Sequence, residues 1–263
     1  MVLSAIKSIA QLMRFDAVFV VYLALFLPIL YAGHSVIYAF TRALPVSAIC
    51  MCGFVVNNIY DIEKDRENHP TRPLPSGRIS STFASAIYFA FLAISLWLVR
   101  VYANESNVFL YLAFVVAMVN YNLAIVYFPY LKNLYVAAAG LIPVFILLTL
   151  IHVAPSRAYV MCALFLYLLG KEMLTDIIDA KGDGRTLVKR IGLQRAENVA
   201  FGLKLLSDAV LLIDRVDLVG VLLAVGFLSS DVVCLLLWKF KLHKSAVIVV
   251  MKLQAVVGIY YLI

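Results

Sequence analysis

The chain has 263 residues, of which 64% are A, V, I, L, M, F, W, Y or C and 14% are charged. A soluble domain is about half apolar and a quarter charged, so this composition excludes an ordinary soluble protein and predicts an integral membrane protein. The formal charge of +7 would suit a nucleic-acid binder, but its placement in short loops between apolar runs assigns it to membrane topology, and no nucleic-acid partner is expected.

Apolar runs near the roughly 20 residues that cross a bilayer fall in chain order at 15–33, 36–60, 81–103, 107–126, 131–153, 156–178, 197–213, 216–238 and 245–263. They predict an all-α integral membrane protein of about nine transmembrane helices in one bundle, with 1–263 forming a single domain. The first run is too long for a signal-peptide core and lacks a small-residue cleavage site, so it is read as a mature helix. Arg14 stands just before it.

The second run breaks into Asn57-Asn58-Ile59-Tyr60-Asp61-Ile62-Glu63-Lys64-Asp65. Helical phasing of about 100° per residue puts Asn57, Asp61 and Asp65 on one stripe, with Asn58 beside it. Carboxylates next to hydrocarbon are expensive unless paired or bound to metal. The stretch from His69 to Arg78 follows, and Pro70, Pro73 and Pro75 stop any helix there. It is expected to be a rigid loop presenting Arg72 and Arg78 near the acids, where a guanidinium fork suits phosphate oxygens.

Lys132 opens the fifth run. The sixth carries Lys171 and ends at a second acidic group, Asp176, Asp179 and Asp183, again with helical spacing. The segment Gly182-Asp183-Gly184-Arg185-Thr186 reads as a flexible turn with another cation. The seventh run is the weakest span, because Lys204 and Asp208 interrupt it. Lys239, Lys241 and Lys244, between the last two runs, are read as topogenic.

With a cytoplasmic N-terminus, the cations at Lys7, Arg14, Lys64, Arg66, Arg72, Arg78, Lys132, Lys171, Lys181, Arg185, Lys189, Arg190, Arg195, Lys239, Lys241 and Lys244 fall inside. Arg100, Arg157 and Arg215 fall outside. The asymmetry supports the span count and puts both acidic groups on the cytoplasmic side. Cys50, Cys52, Cys162 and Cys234 lie within spans without zinc spacing, and the scattered His34, His69, His152 and His243 make no ligand pattern. Hard oxygen ligands with an amide instead suit Mg²⁺, which bridges carboxylates to substrate phosphates. Acids, magnesium and cations at a membrane cavity point to a diphosphate with an apolar tail. Phe54, Tyr60, Tyr121, Tyr127, Phe128 and Tyr130 are available to line an isoprenoid tunnel or face a carbocation, although aromatics are also ordinary span residues.

The motifs resemble those of the UbiA superfamily of intramembrane prenyltransferases. Asn57, Asp61 and Asp65 match its first motif, with Asn58 standing where many members have Asp. The Arg-Pro-Leu-Pro-Ser-Gly-Arg loop is similar to the one that follows in many members, including archaeal-lipid geranylgeranyl transferases and aromatic prenyltransferases. Asp176, Asp179 and Asp183, followed by Gly-Arg-Thr-Leu and Ile-Gly, resemble the second motif. Lys132 resembles the lysine of a Tyr-x-x-x-Lys element, with Phe128 replacing the tyrosine, and Arg14 a family arginine usually followed by proline rather than by Phe15. The resemblance implies a helical bundle around a central lipid-accessible cavity. It implies catalysis and metal binding by Asp61, Asp65, Asp179 and Asp183, with Asn57 and Asp176 as further ligands of two Mg²⁺ ions. Asn57, Arg72, Lys132, Arg14 and Lys171 would bind the diphosphate.

The implied reaction transfers an isoprenyl group from its diphosphate to a lipophilic or aromatic acceptor through an allylic carbocation. Two alternatives share part of this chemistry. A UbiA-type terpene synthase would cyclise the cation without an acceptor, and a cation-coupled transporter would need acids near the midplane of broken helices. A CDP-alcohol phosphotransferase is disfavoured because its Asp-Gly-x-x-Ala-Arg pattern is absent. The acceptor, the prenyl length and the oligomeric state stay open.

Overall fold

The computed structural model describes residues 2–152, 158–182, 184–212, 218–239 and 244–259, and among them it is helical with no strand. In chain order the helices are α1 (Val2–Leu12), α2 (Phe15–Tyr31), α3 (Val36–Tyr60), α4 (Ile62–Asn68), α5 (Ser81–Tyr102) and α6 (Val108–Tyr127). After a 3₁₀ turn at Pro129–Leu131 come α7 (Lys132–Leu150), α8 (Ala158–Ile178), α9 (Leu187–Ile191), α10 (Leu193–Leu212), α11 (Leu218–Lys239) and α12 (Lys244–Ile259). Each predicted span contains one long helix. The short α1, α4 and α9 lie outside the predicted spans.

Serine and threonine caps fix several helix starts by satisfying an orphan N–H. Ser35 Oγ accepts from Tyr38 N–H and Ser80 Oγ from Phe83 N–H, each at 3.2 Å. By length and composition alone, α3, α5, α6 and the Pro129–Leu150 stretch can cross a membrane, and α1 with α2 adds a fifth candidate bent by 61°. The 17-residue α2 and 16-residue α12 are short, whereas α8 and α10 carry several charges within an apolar sequence. Large apolar side chains such as Phe89, Trp97, Phe109 and Val116 are exposed, as expected of a multi-pass membrane protein whose outer surface meets lipid.

The helices gather into two compact units. Over its described residues, the first comprises Met1–Tyr127, Ile142–His152 and Lys181–Asp183. There α3 packs against α2, α5 and α6, and Leu12, Val55, Leu74, Ile79 and Ala84 form a buried cluster. The second comprises Phe128–Leu141, Val153–Ala180 and Gly184–Ile263. In it α8 packs against α10 and α12, and α11 against α10 and α12, around Tyr167, Leu174, Ala200, Phe201 and Trp238. The seventh predicted span is an unbroken helix, because Lys204 is wholly buried in an ion pair with Asp231 of α11.

Small residues let membrane helices approach closely. A Cβ on Gly170 of α8 would lie 2.6 Å from the Ala200 carbonyl oxygen of α10 and 3.3 Å from Lys204 Cγ, whereas one on Gly202 meets nothing within 4 Å. Gly170→Ala should therefore force α8 and α10 apart and cost about 1–3 kcal/mol. Gly202→Ala should be neutral or slightly stabilising through helix propensity. Thermal unfolding in detergent checks the pair, and equal Tm values for the two variants would contradict this packing.

Candidate active site

The end of α3 keeps the predicted stripe through a near-continuous backbone. Asp61 N–H donates to Asn57 O at 2.9 Å, and Asp65 N–H donates to Asp61 O at 2.7 Å. Asn57 Nδ2 donates to Asp61 Oδ2 at 3.0 Å. That contact fixes the amide, since the reverse orientation would set its oxygen against a carboxylate. Asn57 Oδ1 is thereby left buried with no hydrogen-bond donor.

Asp65 is 1% exposed and is held by Arg72, whose Nη1 lies 2.8 Å and 2.7 Å from its two carboxylate oxygens. The proline-rich loop presents that arginine as expected. It does so through successive turns, with Arg72 N–H donating to His69 O at 3.0 Å and Ser76 N–H to Arg72 O at 3.1 Å. Gly77 closes the last turn at φ 72°, where a residue without Cβ is favoured. Buried Leu74 and Ile79 anchor the loop in the core beside Leu12. Arg78 is placed differently from the expectation. Its guanidinium donates to Thr71 O, to Ser76 Oγ at 3.0 Å and to Ser8 Oγ of α1 at 3.4 Å, so it braces the loop itself.

Asn58 also turns away from the acids. It is buried, and Nδ2 donates at 2.7 Å to the carbonyl of Leu12, in the last turn of α1, where helix carbonyls lack intrahelical partners. Arg14 occupies the corner between α1 and α2 in a left-handed conformation, φ 49° and ψ 50°. Its guanidinium lies 5.1 Å from the ring centroid of Phe54 on α3, within cation–π range.

In the second unit, Asp176 of α8 is 2% exposed. Lys132 Nζ contacts its Oδ1 at 2.6 Å, and Asn133 Nδ2 donates to its Oδ2 at 3.0 Å. Asp179 follows the end of α8, with its N–H donating to Thr175 O at 3.0 Å. Lys171 pairs with the adjacent Glu172. The expected ligand Asp183 lies outside the described residues. Just before it, Gly182 N–H donates at 2.8 Å to Asn68 Oδ1 at the end of α4. A Cβ on Gly182 would lie 2.7 Å from Lys64 O, so the backbone approach requires glycine.

Sequence reasoning missed Asn133 and Asn68. Asn133 had a signal, as a second polar residue beside Lys132 at the head of an apolar run. Asn68 had none, because its partner is 114 residues away.

Among the described residues, no group of three or more His, Cys, Asp or Glu side chains stands ready to hold a metal. Asp65 and Asp176 are each engaged by a cation. The donors within each unit nevertheless suit Mg²⁺: the Asp61 carboxylate and Asn57 Oδ1 in the first and the Asp179 carboxylate in the second are hard oxygen ligands, without the thiolates or imidazoles that zinc would draw.

An all-helical membrane protein with acid-rich helix ends, each paired with a cation, defines a class equipped to handle anionic groups at a bilayer. The chain belongs to the UbiA prenyltransferase family, whose model matches residues 17–251. A digeranylgeranylglyceryl phosphate synthase from Thermococcus gammatolerans is 30% identical over 162 residues, covering 60% of this chain and 58% of that protein. One from Sulfurisphaera tokodaii is 31% identical over 172 residues, covering 57% and 56%. The chain thus spans a little over half the length of the curated relatives it matches. In fold it is similar to a UbiA homologue from Archaeoglobus fulgidus bound to GPP and Mg²⁺, with a TM-score of 0.75, 16% identity and coverage of 97% of this chain and 98% of the other.

Asn58 provides a direct check on this geometry. Asn58→Asp would set a carboxylate against the Leu12 carbonyl and remove the donor. The expected result is a loss of about 1–3 kcal/mol of stability with no gain in metal affinity. Tighter Mg²⁺ binding at unchanged Tm would show that position 58 faces the metal.

Proposed function

We propose that this chain is a Mg²⁺-dependent intramembrane prenyltransferase, working as one domain, that moves an isoprenyl group from a prenyl diphosphate to a lipophilic acceptor. The observation that carries the reading is the buried Asn57 Oδ1, which accepts no hydrogen bond, beside the Asp61 carboxylate, two hard oxygens of the kind that magnesium takes. Family membership supports the chemistry. The names of the relatives favour a geranylgeranyl group as the donor's chain and a phosphorylated glyceryl lipid as the acceptor.

Asn57, Asp61, Asp65, Asp176, Asp179 and Asp183 are the proposed metal-holding residues. When bound, magnesium supplies charge neutralisation of the departing diphosphate. Arg72 and Lys132, already held at defined positions by Asp65 and Asp176, offer further positive charge to phosphate oxygens. Arg14, steadied on Phe54, and Lys171 are the remaining candidates for the same role. Ionisation of the allylic C–O bond leaves a carbocation that needs a water-excluding wall, which the apolar helices supply, until the acceptor oxygen or carbon attacks it. The bias of lysine and arginine along the chain supports a cytoplasmic N-terminus and a cytoplasmic placement of both acidic motifs.

Membranes containing the protein should convert geranylgeranyl diphosphate and geranylgeranylglyceryl phosphate to the doubly prenylated lipid, as read by mass spectrometry. Asp61→Ala and Asp179→Ala should each lower the rate by at least about 100-fold while leaving Tm near wild type. Full activity in both variants would sink the assignment. A hydrocarbon or terpene alcohol formed from the diphosphate alone would point to cyclisation.

A further inference from the structure

The second unit holds a polar network that the proposed reaction does not use. It lies in mid-helix on α8, α10, α11 and α12. Lys204 is 0%, Asp231 3%, Asp208 4% and Gln254 7% exposed. Lys204 Nζ donates to Asp231 Oδ1, and to Gln254 Oε1 at 3.3 Å. Gln254 Nε2 donates to Asp231 Oδ1 at 2.8 Å. The hydroxyl of Tyr167 lies 2.7 Å from Gln254 Oε1, and Lys204 Nζ stands 4.8 Å from the Tyr167 ring centroid. Tyr167 is nine residues before Asp176 on α8, about 13 Å along the helix axis, so the network is separate from the acidic motif.

The network's charges do not balance. Two carboxylates face one ammonium, and each carboxylate has an Oδ2 with no donor. Asp208 lies close enough to Asp231 and Lys204 to feel both charges. Two buried carboxylates sharing one ammonium need a further positive charge, because an uncompensated carboxylate in an apolar interior is prohibitively expensive. Space exists for it. A cavity of about 10 Å³, close to the volume that admits one water-sized species, is lined on its polar side by Tyr167, Ser207, Asp208 and Gln254.

We propose that Asp208, backed by Asp231 behind Gln254, binds one small monovalent cation, a proton or a sodium ion, at this cavity inside the helix bundle. A single charge makes the group neutral. A divalent ion would overshoot neutrality beside Lys204, and no third acidic, histidine or cysteine ligand joins the pair among the described residues. Lys204 on α10, Tyr167 on α8 and Cys234 on α11 are the other titratable groups facing it, and α12 contributes the uncharged Gln254.

Thermal unfolding of the purified full-length protein in detergent tests the proposal. One arm raises sodium at fixed ionic strength against an organic cation too large for the cavity. The other raises pH in sodium-free buffer. A sodium site should raise Tm on the order of 5–10 °C between sodium-free buffer and roughly a hundredfold excess over Kd. A proton site should instead lose stability as pH rises, since the folded state then releases a proton that it holds more tightly than the unfolded chain does. Asp208→Asn leaves the Lys204–Asp231 pair neutral and should flatten whichever arm responds. Asp208→Leu serves as a second variant with the same expectation. Wild-type protein that is flat in both arms overturns the site, as does a wild-type response retained in the Asp208 variants.

Discussion

At 2.6 Å, with side chains 9% and 2% exposed, the Lys132–Asp176 pair shows the condition under which charge enters this bundle. An isolated ion in a low-dielectric interior is not sustainable, so each buried charge needs a fixed partner. The same condition joins Arg72 to Asp65 and Lys204 to Asp231. Such pairs add little net stability compared with apolar packing, but breaking one by removing a partner costs about 3–5 kcal/mol. Their effect is on register. The start of α7 is tied to the end of α8, the proline-rich loop to α4, and the middle of α10 to α11.

Register at the ends of α3 and α8 has a chemical consequence. The loop after α4 cannot drift, because Leu74 and Ile79 are buried and Arg78 braces it against Ser8. Arg72 is therefore offered at one place with its side chain still 32% exposed. A guanidinium both anchored and partly accessible can meet an anion without first losing much conformational entropy. Lys132, more deeply buried, gains the same definition from Asp176 and from its neighbour Asn133.

The spans and the acidic stripes were legible in the sequence because both are local patterns. Apolar runs mark the helices, and i, i+4 spacing sets Asn57 against Asp61. The seventh span read poorly for a physical reason: Lys204 and Asp208 look like interruptions until α11 and α12 supply Asp231 and Gln254. Asn58 illustrates the limit in the other direction. Set beside a metal motif, it resembles an altered ligand, yet its partner is a backbone carbonyl 46 residues earlier, and carbonyls leave no trace in sequence pattern. Arg78 was misplaced for the same cause, since two of its three acceptors belong to the loop that carries it.

The pairing also decides which acids report on chemistry and which report on folding. Removing Asp65 or Asp176 would leave Arg72 or Lys132 without its buried counter-charge, so lost activity would be mixed with several kcal/mol of lost stability. Asp61 and Asp179 are half-buried at helix ends, where water can solvate what a truncation exposes. Under the proposed assignment, a defect there that spares Tm would be a defect in handling the substrate. The same reasoning applies to Arg72→Lys, which keeps a cation for Asp65 but gives up the planar fork. A rate loss in that variant without a matching stability loss would separate the geometry of phosphate recognition from the electrostatics of burial.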